Sequence, residues 1–224
     1  YTLEQKDAGA KPAAKSGTSC ESCHGASSEW LAIHDNYGGK DVKREQEAAD
    51  HKAKRVADSK AAGLIWPSMQ YEVAENCMTC HGFAHPGLKA DDLAKMLGAG
   101  HPINPGFELV KYSQGSVRHR HYPPDIKTNA EMTPQELAQI YVIGQAAALV
   151  SATEVISKSS EAKYKEAQSK RVEIAKSALG GVSEAAGLLA APTRENAIKF
   201  VQSIAGKDLT GAVGSKLPAK SDYK

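Results

Sequence analysis

The four cysteines of this chain fall in two pairs, Cys20/Cys23 and Cys77/Cys80, and each pair is followed at once by a histidine, His24 or His81. None is left over. Cys-x-x-Cys-His is the attachment signature of c-type haem: two thiols form thioethers with the porphyrin vinyl groups, and the next imidazole is placed to reach the iron. A zinc site built from both pairs is one alternative, but Cys20 and Cys77 lie much further apart than the roughly 15 to 20 residues of a ribbon or finger. A thioredoxin-like redox pair needs a strand-to-helix junction in a βαβ pattern, and no such strand precedes either pair. Two covalently attached haem c groups are the expected cofactors.

That expectation bears on the composition. Only 6% of the 224 residues are aromatic, which is thin for an interior filled by side chains alone, whereas a porphyrin is a large apolar plate that residues can pack against. Lysine and arginine number 28 against 26 acidic residues, too balanced for the one-signed surface that tracks a nucleic-acid backbone. No uninterrupted apolar run approaches the roughly 18 to 20 residues of a membrane span, so no transmembrane segment is expected. Tyr1-Thr2-Leu3 runs straight into polar sequence, so this chain is expected to lack an export leader. Haem is attached to reduced thiols outside the cytoplasm, which makes the periplasm or cell surface the expected compartment.

With His24 and His81 as proximal ligands, His34, His51, His85, His101, His119 and His121 remain. An electron carrier closes both axial positions of its iron, whereas a haem enzyme leaves one open. His34 is a distal candidate, expected on the haem of the other motif because it lies so soon after His24. His101 is another, since Gly98-Ala99-Gly100 permits a tight turn and Pro102 fixes the exit. His85 would share a helical face with His81 and is expected to be a neighbour rather than a ligand. His51 is expected on a solvated helix face. In Arg118-His119-Arg120-His121 an extended backbone puts histidines on one side and arginines on the other, as a solvated basic strip or as groups facing haem. Met78 lies inside the second motif and cannot turn onto its own iron, and Met69, Met96 and Met132 suit ordinary packing, so bis-histidine ligation with low potentials is expected.

The fold class expected is mainly α: a loop-rich, haem-packed N-terminal part followed by a C-terminal helical hairpin or three-helix bundle. Residues 1–17 form a flexible lead-in, 18–130 a dihaem cytochrome domain, 131–206 a helical domain and 207–224 a loose tail. The run from Asp41 to Ala62 predicts a helix with alanines and Val56 on a narrow face, and Asp91 to Leu97 another ending at Gly98. The chain from Trp66-Pro67 to the second motif reads as a short turn, and 102–124 as irregular. Thr133-Pro134-Gln135-Glu136 is a capping box with proline at the first helical position, opening a helix that carries Leu137, Ile140, Tyr141 and Ile143. Further helices are predicted over Ser160 to Leu179 and from Thr193 to Gly206. No chemistry is visible in this last region.

Residues 18 to about 124 resemble multihaem c-type cytochromes, the superfamily that includes the tetrahaem electron carrier of ammonia oxidisers. The residues that carry the likeness are Cys20-Glu21-Ser22-Cys23-His24-Gly25 with Trp30-Leu31 and His34, Cys77-Met78-Thr79-Cys80-His81, and Gly100-His101-Pro102 leading into Phe107-Glu108-Leu109. The resemblance implies distal ligation by His34 and His101, although this chain has two motifs where the family member has four. It implies electron transfer with redox partner proteins, and a homo-oligomer is compatible with it. An enzyme with one open iron acting on a small inorganic substrate, using His119, His121, Arg118 or Arg120, is the competing class; a self-assembling conducting cytochrome is the third.

Overall fold

A computed structural model describes residues 2–4, 6–11, 13–16 and 19–224. The architecture is mainly helical, and the chain divides into two compact units, Tyr1–Asn76 and Cys77–Lys224. The second motif therefore shares a unit with the C-terminal helices that the sequence suggested as a separate domain.

In the first unit, β1 (Thr2–Glu4) pairs antiparallel with β2 (Ala13–Ser16) inside the expected lead-in. Residues 1, 5, 12 and 17 of that lead-in lie outside the described residues. Two short helices follow, α1 (Cys20–His24) and α2 (Leu31–His34), and then α3 (Ala49–Ala61). The helix expected from Asp41 thus starts later, and Arg44–Gln46 form only a single 3-10 turn. The buried residues of α3 are Arg55 and Ser59, not the alanine and Val56 face. Glu47, just upstream of the helix, turns its carboxylate inward onto Arg55, and this pairing is what allows a charged residue to face in.

The approach to the second motif is helical rather than a turn. In α4 (Gln70–His81), Tyr71, Ala74 and Met78 recur at the spacing of one helical face, and all three are buried.

In the second unit, α5 (Ala90–Gly98) and α6 (Leu109–Ser113) precede the long α7 (Pro134–Ile156). The expected capping box forms: Thr133 Oγ1 accepts the Glu136 N–H at 3.3 Å and Glu136 Oε2 accepts the Thr133 N–H at 2.8 Å. Helix α8 (Ala162–Leu179) packs along α7, as do α10 (Arg194–Ile204) and α11 (Thr210–Val213), while α9 (Ala186–Ala190) packs on α10. Because α7 meets neighbours on several sides it is apolar nearly all round. Its length and mean hydropathy of 1.3 would suffice to cross a membrane, and 72% of that window is buried within the structure. The expectation that no segment is long and apolar enough counted only unbroken apolar runs and so passed over this helix, which Gln139 and Gln145 interrupt.

The expected loose tail is packed. Leu209 and Val213 are buried, Lys216 Nζ caps α8 by donating to the carbonyls of Ser177 at 2.7 Å and Ala178 at 3.1 Å, and the Lys224 N–H donates to Lys111 O at 2.9 Å.

Gly144, in the middle of α7, admits α6: a Cβ there would stand 2.8 Å from Leu109 Cβ. Alanine would gain about 1 kcal/mol in helix propensity, but overpacking against backbone-proximal atoms costs about 1–3 kcal/mol. Gly144→Ala is therefore expected to lower the urea midpoint of unfolding, and Gly144→Val to lower it further, as followed by far-UV circular dichroism.

Candidate functional site

Each Cys-x-x-Cys-His sequence lies on a helix, so cysteines three apart and the histidine one further on share a face. Cys20 and Cys80 are exposed, and Cys23 and Cys77 are half-buried. Among the described residues, no group of three or more His, Cys, Asp or Glu side chains converges into a site for a bare metal ion. What each helix presents is a pair of thiols and an imidazole.

His24 is fixed at two points by one residue. The Ile65 N–H donates to His24 O at 3.0 Å, and the His24 Nδ1–H donates to Ile65 O at 2.7 Å. A carbonyl can only accept, so Nδ1 carries the proton and the ring lone pair is on Nε2. Gly25 (φ +83°) lets the chain turn away beside this clamp, where a Cβ would meet Gly63 O at 2.8 Å. Glu21 then secures the exit loop, accepting from the Ser27 N–H at 2.8 Å and hydroxyl at 2.7 Å, bonds that hold its carboxyl below the usual range. Asn76 donates to Ser22 O at 2.9 Å, holding the peptide between Cys20 and Cys23.

His81 closes α4 in a different setting. Its ring stacks on Phe107, with centroids 4.1 Å apart and planes 8° apart, and Tyr112 lies against both rings. Burial first, and then the charge of Arg171, hold the imidazole below its ordinary value. The carbonyls that follow are taken by one face of α8. Arg171 donates through Nη2 to His81 O at 2.8 Å and through Nη1 to Gly82 O at 2.6 Å. Gln168 Nε2 also reaches Gly82 O, at 2.9 Å, and the Tyr164 hydroxyl donates to Phe83 O.

The remaining histidines sort by tautomer. His34 Nδ1 faces Leu31 O at 2.7 Å, and His101 Nδ1 faces Pro102 O at 2.9 Å, so both carry their lone pair on Nε2. Trp30, buried beside His34, meets its ring edge-on at 5.2 Å, and Phe83 meets His101 edge-on at 4.8 Å. The turn expected before His101 forms, with Gly100 at φ +95°. His85 does not share a helical face with His81, because α4 ends there. Its Nδ1 accepts the Gly87 N–H at 3.0 Å, the opposite tautomer. His119 and His121 are exposed while Arg118 and Arg120 turn inward, as the alternation predicted, and the two arginines pair with Glu131 at 3.5 Å and Glu136 at 2.8 Å.

His51 departs from a merely solvated position: its Nδ1 donates to Glu47 Oε1 at 2.8 Å. That carboxylate also binds Arg55 Nε at 2.7 Å and Nη2 at 2.6 Å, while Arg55 Nη1 reaches His34 O at 2.5 Å and the guanidinium lies over Tyr37. Sequence reading passed over this cluster, over the Ile65 clamp and over the polar face of α8. The only available signal for the last was Tyr164, Gln168 and Arg171 sharing the stripe of Ala175 and Leu179.

No protein-family model, curated protein or solved structure matches this chain.

Two outcomes follow. Gly25→Ala is expected to disturb the Ile65 clamp and loosen the His24 ring, which the imidazole signals in a proton–nitrogen correlation NMR spectrum will report. The Arg55 hydrogen bonds draw the Glu47 carboxyl from 4.5 to about 2. A carboxyl lowered on folding contributes stability that is complete above about pH 4.5 and is lost as pH falls toward 2. Glu47→Gln is expected to unfold at lower urea than the parent at pH 7, with the gap narrowing below pH 4.5.

Proposed function

We propose that this chain is a dihaem c-type cytochrome that carries electrons between partner proteins outside the cytoplasm. Cys20, Cys23 and His24 would hold one haem, and Cys77, Cys80 and His81 the other. The observation that carries this reading is that both motifs lie on helices, which puts each pair of thiols and the imidazole that follows on one face. The His24 ring is held with Nδ1 toward a carbonyl, and burial holds the His81 imidazole below its ordinary value. Bound haem supplies one-electron exchange at its iron.

The chain's own residues divide the remaining work. Ile65 holds the His24 ring against rotation, and Phe107 and Tyr112 hold that of His81. His34 and His101 are the proposed distal ligands, each with Nδ1–H engaged by a carbonyl and Nε2 bearing the lone pair. His85, with its proton on Nε2, suits ligation less well. The buried Trp30 indole N–H makes no hydrogen bond among the described residues, and a haem carboxylate is the kind of acceptor it lacks. An enzyme with an open iron has less support, because Arg118 and Arg120 are engaged by Glu131 and Glu136 rather than facing a substrate.

Protein made in a host that matures c-type cytochromes should weigh two haems more than its polypeptide. Carbon monoxide should leave the reduced Soret band unchanged. His34→Ala and His101→Ala should each create about one equivalent of carbon monoxide-binding haem, scored by the Soret shift. Binding by the parent protein would transfer support to the open-iron enzyme, and a haem-free mass would remove the proposal altogether.

A further inference from the structure

Arg171 is 1% exposed. Its guanidinium has five N–H donors. Four are engaged, by His81 O at 2.8 Å, Asn104 O at 3.4 Å, Gly82 O at 2.6 Å and Gln168 Oε1 at 3.1 Å, while the fifth, on Nε, is buried without an acceptor among the described residues. All these partners are neutral, and among the described residues no carboxylate forms an ion pair with it. Burial lowers its pKa to about 10, which still leaves it charged at neutral pH. The other buried arginine, Arg55, is neutralised by Glu47. An isolated buried cation is costly, and a neutral side chain could cap the same carbonyls. Its position behind His81 is what gives the charge a use.

Resting on the dihaem reading above, we infer that Arg171 is a potential-setting residue, which raises the reduction potential of the haem at Cys77 and Cys80. When ferric iron takes one electron the site loses one unit of positive charge, so a fixed cation nearby favours the reduced form. In a dry interior that effect is screened far less than at the surface. Arg171 also sits at the C-terminal end of α4, where it offsets the negative end of the helix dipole that otherwise acts on His81. The inference gives α8 a part in the redox chemistry.

The test is a spectroelectrochemical titration of the full-length holoprotein. Each wave is assigned by comparison with Cys77→Ser/Cys80→Ser and Cys20→Ser/Cys23→Ser proteins. Arg171→Met should lower the wave lost with Cys77 and Cys80 by at least ~59 mV, a tenfold change in a one-electron equilibrium, without moving the other. Arg171→Lys, which keeps the charge, should restore most of the difference, and Gln168→Met, which removes a neutral donor to Gly82 O, should leave it in place. An unmoved wave, or an equal fall in both waves, in Arg171→Met would overturn the inference. If Arg171→Met does not fold, Arg171→Gln decides by the same criterion. Protein lacking haem at Cys77 and Cys80 would instead defeat the dihaem reading itself, which the mass spectrum distinguishes.

Discussion

A helix ends with carbonyls that have no partner within it, and both motif histidines stand at that point. Everything distinctive about the two sites follows from how those carbonyls are satisfied. At His24 the answer is local and neutral: the strand-like segment after α3 brings Ile65 alongside, so one residue binds both the main chain and the ring. At His81 the answer comes from far along the chain, where one face of α8 spends Tyr164, Gln168 and Arg171 on three successive carbonyls. Two copies of one short motif are therefore held by different kinds of partner.

The same contrast separates the two buried arginines. Arg55 is held by a carboxylate on one side and the His34 carbonyl on the other, and it organises the first unit without leaving a net charge inside it. Arg171 leaves one. A core that retains an uncompensated charge does so against a desolvation penalty of several kcal/mol. The helices around it have to be well packed to hold it, and α7, buried along most of its length, supplies that packing. The C-terminal helices thus have a structural relation to the second motif that their composition gave no reason to expect.

Much of the helical pattern was legible because it depends on neighbours in sequence. The box at Thr133 and Glu136, the proline at the first position of α7 and the threonine before α10 act within one turn, so their presence in the chain is nearly sufficient for their formation. The reading failed where a long-range partner overrode local preference. The helix expected from Asp41 gives way at Glu47, whose carboxylate is needed by Arg55 and His51. The tail after Gly206 looks loose from its lysines, but Leu209 and Val213 have a core to enter. The approach to the second motif reads as a turn because Trp66-Pro67 breaks the chain locally, whereas the helix that forms there depends on burial of the Tyr71, Ala74 and Met78 stripe.

By itself the sequence determined the chemistry on offer: which thiols come in pairs, which imidazole follows each, and which segments are helical, since all of these are set by spacing of a few residues. Only the tertiary structure decided which nitrogen of each histidine carries the proton, which arginines are neutralised and which helix stands behind His81. Those properties depend on backbone carbonyls and carboxylates brought in from distant positions, and nothing in the spacing of a motif encodes the identity of a group that arrives ninety residues later.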